Sequence, residues 1–302
     1  ATSLTSIIIP ASVTSIGSNV FNGMTNLTSI TFEADSQLTE IGDSMFYGAT
    51  SLTSIIIPAS VTSIGSNVFN GMTNLTSITF EADSQLTEIG DSMFYGATSL
   101  TSIIIPASVT SIGSSVTGSG SNEINGMTTL VSVTFEANSQ LTSIGVEAFY
   151  EASALTSITI PASVTSIGNY AFQYASALTS VTFEPNSQLT EIGYSVFMGA
   201  INLTNIIIPS NVITIRDHAF RDATSLTSVT FDSSSNLTSI GYTAFSGATS
   251  LTSIIIPASM ETIGHGAFYS SELTSIIIPA SVSSIEREAF KNATRLATVT
   301  FD

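Results

Sequence analysis

The chain of 302 residues contains no cysteine. Disulfide staples and thiolate metal sites are therefore excluded, and the fold has only its packed core to hold it. Basic residues are scarce: Arg216, Arg221, Arg287, Lys291 and Arg295 are all there are, and they lie in the last third. Residues 1–215 carry 14 acidic side chains and no Lys or Arg, and the formal net charge is −17. Such a surface repels phosphate backbones, so nucleic acid is not an expected partner. Anionic membrane surfaces are disfavoured for the same reason. No apolar run approaches the ~20 residues of a membrane-crossing helix, so membrane insertion is not expected either. Charge of any sign is sparse at 9% of residues, whereas hydrophobic residues reach 43%. Their regular placement sets the chain apart from a disordered composition. The acidity reads as a solubilising charge on a long hydroxyl-rich protein; a cationic partner or a salty environment is the functional alternative.

What the sequence has in abundance is repetition. A recurrent Leu marks unit starts at Leu4, Leu27, Leu52, Leu75, Leu100, Leu130, Leu155, Leu178, Leu203, Leu226, Leu251, Leu273 and Leu296. Most spacings alternate between 23 and 25 residues, and residues 1–66 recur unchanged as 49–114. The short unit reads L-T-S-I-I-I-P-A-S-V-T-S-I-G-S-N-V-F; in the long one P-A-S becomes E-A-D-S-Q. L-x-x-I-x-I/F predicts a short strand whose first, fourth and sixth positions face the core and whose third and fifth face out. Pro10, Pro58, Pro106 and their equivalents lack an N–H and end the strand. V/L-T-S-I is a second short extended segment. The Gly that usually follows (Gly17, Gly42, Gly65) suggests a turn with permissive dihedrals. Arg216 and Glu286 in the same slot mean that a positive dihedral is either not required or tolerated there at about 1 kcal/mol. Eleven units then place a Phe, from Phe21 to Phe290, with Ile124 in the remaining one. One ring per coil predicts a continuous buried ladder.

No single unit can bury both of its apolar edges, so the units must stack. The expected architecture is a repeat solenoid, an arc of about 12–13 coils built mostly of short β-strands with turns and short helical segments. At ~4.8 Å per coil its length is ~60 Å. Residues 1–302 are read as a single solenoid with an insert at 114–120 (S-S-V-T-G-S-G) in the unit that begins at Leu100. The chain opens and closes inside a unit, so it reads as a fragment of a longer chain whose exposed ends favour end-to-end self-association.

The pattern L-x-x-I-x-I-P-x-S-V-x-x-I-G-x-x-A/V-F resembles the BspA-like leucine-rich repeats, with its best instances at 155–172 and 251–268. That resemblance implies a leucine-rich-repeat arc in a secreted or cell-surface protein of the adhesion type. Its partner would be a protein or glycan ligand on a host, matrix or neighbouring cell. It implies no catalytic residue, no cofactor and no fixed ligand site. Members of the family often carry Cys late in each unit, where this chain has Thr, Ala or Ser.

Concave solenoid faces commonly bind ligands. The outward strand positions are therefore the first candidates: the serines Ser6, Ser29, Ser54, Ser77, Ser102, Ser132 and Ser157, and the alternating row Ile7, Thr31, Ile55, Thr79, Ile103, Thr134 and Thr159. An exposed Ile row can contact a partner, and strand propensity on a solvated sheet accounts for it equally. Regular hydroxyl rows also permit an ice-binding surface, although Ile interrupts the Thr row. End-to-end stacking into a fibre or surface layer is the structural alternative. The acidic loops (Glu33 and Asp35; Glu81 and Asp83) read as solvated, not as calcium sites. Equivalent loops lie two coils apart, roughly 10 Å, too far for one ion. His218 and His265 have no catalytic motif around them and read as surface residues at coil turns. Ser is too abundant to mark a nucleophile, so the chain does not read as an enzyme. Five N-x-S/T sequons, at Asn26, Asn74, Asn202, Asn236 and Asn292, read as turn asparagines that could carry glycans only in a eukaryotic secretory route.

Overall fold

A computed structural model describes residues 3–114 and 128–302 of the chain. The insert at 114–120, apart from Ser114, and Ile124 lie outside the described residues. The described residues fall into two compact units, one within 1–148 together with 152–155, the other 149–151 with 156–302. Each is a parallel β-solenoid. A coil consists of a four-residue strand, a turn, a two-residue strand and a run of further turns. The short helical segments expected from the sequence are not seen among the described residues. Successive tight turns take their place, with residues in the left-handed region where the chain must bend, among them Asn19 (φ 62°), Ser44 (φ 53°) and Gly48 (φ 68°).

Stacking is strictly in register. In the first unit Ser54–Ile57 pairs with Ser77–Phe80, Ser54 opposite Ser77, and Ser102 stands opposite Ser132 in the same way. In the second, Ser157–Ile160 pairs with Ser180–Phe183, and Asn205–Ile208 with Ser228–Phe231. The two-residue strands form a second ladder, with Ser15, Glu40 and Ser63 aligned in the first unit and Glu191, Thr214, Ser239, Thr262 and Ser284 in the second. Register makes each repeat position a row, and the rows settle the facing. The repeat Leu, the strand's fourth and sixth positions and the Ile of the second strand point inward in most coils. One coil departs: residues 251–257 keep the alternation without pairing as a strand.

The Phe ladder forms as the sequence predicts. Phe21, Phe46, Phe69 and Phe94 stack at 5.6–6.2 Å between centroids in the first unit. Phe149, Phe172, Phe197, Phe220, Phe245, Phe268 and Phe290 stack at 5.1–5.6 Å in the second. Ring planes lie within 18° of parallel throughout, because identical positions in register must present identical orientations.

The Gly after the second strand is needed for a different reason from the one its sequence suggests. Neither Gly42 nor Gly264 has a positive φ. The preceding coil approaches so closely that a Cβ at Gly42 would run into the Ser18 backbone, and one at Gly264 would lie 2.7 Å from the Ile240 carbonyl oxygen. Arg216 and Glu286 occupy the same slot with ordinary dihedrals, so the turn requires no positive φ there.

Candidate ligand-binding faces

The face offered by the four-residue strands is built by period-two alternation. Third-position serines are exposed or half-buried, and Ser6, Ser29, Ser54, Ser77, Ser102, Ser132 and Ser157 all lie on the open face. Thr31, Thr79, Thr134 and Thr159 share that face at the fifth position. Ile7, Ile55 and Ile103, expected beside them, do not. They are fourth-position residues, and Ile55 and Ile103 are only 2% and 4% exposed. The outward isoleucines are the next residues along, Ile8, Ile56 and Ile104, at 68%, 58% and 58%. The correction is one residue, and in a strand one residue exchanges the two faces. The second unit continues the pattern with Ile207, Ile255 and Ile277, of which Ile255 is 86% exposed. Ile255 also borders a cavity of about 520 Å³ whose other walls include Thr230, Phe231, Asp232 and Pro257. The strand positions that form this open face carry Ser, Thr, Asn, Ile and Val and no charge.

Much of the hydroxyl content is structural. The second-position Thr donates its hydroxyl to the carbonyl of the equivalent Thr one coil earlier: Thr28 to Thr5 (3.0 Å), Thr76 to Thr53 (3.0 Å) and Thr179 to Thr156 (3.0 Å). A second Thr row does the same beside the two-residue strands, as at Thr62 to Thr39 (3.0 Å). These hydroxyls add a further donor to carbonyls that already accept a backbone N–H of the next coil, as Thr5 does from Thr28 at 2.9 Å, and so reinforce the stacking.

The acidic loops are exposed, as the solvated reading expects, and are hydrogen-bonded as well. Glu33 Oε2 accepts the Ala11 N–H of the preceding coil at 3.0 Å, and Glu81 accepts that of Ala59 at 3.0 Å. Asp35 and Asp83 occupy left-handed turns (φ 59° and 58°), where a short polar side chain is tolerated. Their carbonyls accept Gln37 and Gln85 Nε2 at 3.1 and 3.0 Å, and Ser36 and Ser84 accept the Leu38 and Leu86 N–H groups. Every residue of E-A-D-S-Q except the Ala thus has a hydrogen-bonding or conformational task. Among the described residues no group of three or more His, Asp or Glu side chains is placed to hold a metal ion. Four sequon amides are also engaged: Asn74, Asn202 and Asn236 donate to carbonyls one coil back, and Asn292 donates to the Tyr269 hydroxyl.

A feature that the sequence reading missed lies in the second unit. Tyr170, Tyr194, His218, Tyr242 and His265 sit on successive coils with ring centroids 5.0–5.2 Å apart. The first three contacts are edge-to-face, at 70–87°. The histidines therefore belong to an aromatic column. His218 Nδ1 lies 2.5 Å from Thr243 Oγ1. Burial, and secondarily the Arg221 charge, pull its pKa below 6.5 against the opposing pull of Asp217. Because the rings occur two or three residues before the Phe and only in these units, they do not form a fixed motif, and only stacking in space reveals them.

Beside the column runs a groove of about 670 Å³, lined by Tyr170 and Tyr194, by Glu191, Thr214 and Ser239 of the second strands, and by Asn169, Arg216 and Asp217. Arg216 Nε donates to Glu191 Oε2 at 2.7 Å. Asp217 Oδ1 accepts the Tyr242 N–H at 2.8 Å. The other basic residues also have carboxylate neighbours: Arg221 with Asp222, Arg287 and Lys291 with Glu288, and Arg295 with Glu272. No helix among the described residues is long and apolar enough to cross a membrane.

Short parallel strands in exact register, an inward Leu at the head of each coil and a buried ring ladder define a leucine-rich-repeat solenoid. The BspA-type leucine-rich repeat region model matches residues 1–125, 116–227 and 190–302, and the chain belongs to that family. Among solved structures, a leucine-rich repeat protein from Bacteroides ovatus is 25% identical, with a TM-score of 0.76 over 98% of this chain and 78% of its own. The pneumococcal vaccine antigen PcpA is 24% identical, with a TM-score of 0.56 over 98% of this chain and 72% of its own. A leucine-rich cell surface protein from Faecalibacterium prausnitzii is 28% identical, with a TM-score of 0.49 over 99% and 79%. No curated protein sequence matches the chain.

Proposed function

We propose that the protein is a secreted or cell-surface binding module, not a catalyst, and that it recognises a protein partner through the open face of its four-residue strands. The observation that carries this reading is the row of outward isoleucines, each more than half exposed, set among uncharged Ser and Thr. A lone exposed Ile needs no explanation, but a repeated row offers a partner contiguous apolar surface. Burying it returns ~25 cal/mol per Å², and the neighbouring hydroxyls supply donors and acceptors. Membership of the BspA-type family supports the extracellular setting. The test is binding of the intact chain to immobilised extracellular-matrix proteins, comparing wild type with Ile56→Lys/Ile207→Lys. Both side chains point outward, so the variant should fold. Its affinity should fall at least about tenfold, as expected when charge enters an apolar contact. A folded variant that binds as well as wild type would move the site off this face.

A further inference from the structure

We propose a second ligand site, distinct from the strand face: the groove beside Tyr170 and Tyr194 binds a neutral, linear oligosaccharide lying along the coil-stacking direction. Its size falls within the range of small-ligand sites, roughly 300–1,000 Å³. The chemistry of the lining decides the ligand class. In the Phe ladder the rings are parallel, and each interior face is covered by the next ring. In the Tyr/His column neighbouring rings stand 70–87° apart. Rings turned this far from parallel do not cover one another face to face, and Tyr170 and Tyr194, both half-buried and on successive coils, line the groove along the stacking direction. The C–H face of a pyranose packs on an aromatic ring.

The polar lining suits hydroxyls. Glu191 and Arg216 neutralise one another, so a charged ligand would have to compete with an ion pair already made. Hydroxyls can use both halves of that pair. Arg216 spends Nε on Glu191, and its remaining guanidinium N–H groups can donate. Glu191 Oε1 and Asp217 Oδ2 can accept, since the hydrogen bonds shown use only the other oxygen of each carboxylate. Asn169 also lines the groove, while the Thr214 and Ser239 hydroxyls hold one another at 3.1 Å in its wall.

The test titrates the intact chain with cellohexaose, chitohexaose and xylohexaose up to about 10 mM. It follows calorimetric heat and tyrosine fluorescence, which is unobscured because the chain has no Trp. At least one oligosaccharide should bind saturably, with an affinity nearly independent of salt, as for a neutral ligand. Tyr194→Ala and Arg216→Met should each weaken it about tenfold or more with the circular dichroism spectrum retained. Tyr194→Phe, which keeps the ring, and Ile56→Lys, on the other face, should leave it unchanged. No saturable binding by any of the three sugars would overturn the proposal. So would binding that survives both Tyr194→Ala and Arg216→Met, or a preference for an alkyl-trimethylammonium or a sulfated oligosaccharide run in parallel.

Discussion

Ile55 and Ile56 are adjacent, identical and on opposite faces, and replacing each with Lys separates the two faces energetically. Ile55 is 2% exposed and stands in register with Ile78, which is also buried. Ile55→Lys removes about 1.5–3 kcal/mol of apolar burial. It also forces an ammonium into the interior or the coil out of place, and the total should exceed about 4 kcal/mol. Ile56 is 58% exposed, and its long Lys replacement can lie along the sheet with its charge in water. The expected change is within about 0.5 kcal/mol, the usual range for surface substitutions. Solenoid coils contact only their neighbours, so unfolding need not be two-state, and the assay should combine denaturant unfolding with hydrogen exchange resolved along the chain. Ile55→Lys should strip protection from residues around 52–80 first. If Ile56→Lys were as damaging as Ile55→Lys, or if Ile55→Lys were silent, the assignment of the strand faces would be refuted.

Three further outcomes follow from the same structure. Phe172→Ala removes a fully buried ring stacked on Phe149 at 5.2 Å and Phe197 at 5.6 Å. It should cost ~3–5 kcal/mol with loosening centred on its coil, and a loss below about 1 kcal/mol in denaturant unfolding would mean that the ladder is not the core. Ser271 is 1% exposed, its hydroxyl lacks a hydrogen-bond partner among the described residues, and it fills the slot held by Ala49, Ala97 and Ala248 in other coils. Ser271→Ala should therefore stabilise by about 1 kcal/mol in the same assay, and destabilisation would reveal a partner for that hydroxyl. His218 has a folded-state pKa below the unfolded 6.5, so the unfolded chain takes the proton first. Stability should be full above that pH and fall as pH drops through 6.5 towards the folded value; a thermal melt of His218→Phe beside wild type between about pH 7.5 and 5 should show the weaker dependence in the variant.

The sequence by itself determined the solenoid. Leu at the head of each unit, Pro after the short-unit strand and one Phe per coil state the period, the strand's end and the core row, because a repeat position is also a stacking position. Register then follows almost without choice, since a shift of one coil residue would unstack the rings. What sequence could not decide is anything that depends on the neighbouring coil at atomic distance. The glycine after the second strand looks like a conformational requirement, yet its φ is ordinary and it is the preceding coil's backbone that crowds a Cβ at Gly42 and Gly264, while Arg216 and Glu286 show that other coils admit a side chain in that slot. Glu33 and Glu81 are exposed, as the sequence suggests, but only the stacked coils show that each also reaches back 22 residues to a backbone N–H. The outward isoleucines needed counting to the residue, because in a pleated strand an error of one places a side chain in the core. The Tyr/His column has no fixed offset in the repeat. Rings from five different coils meet only when the coils are stacked, so that face belongs to the tertiary structure alone.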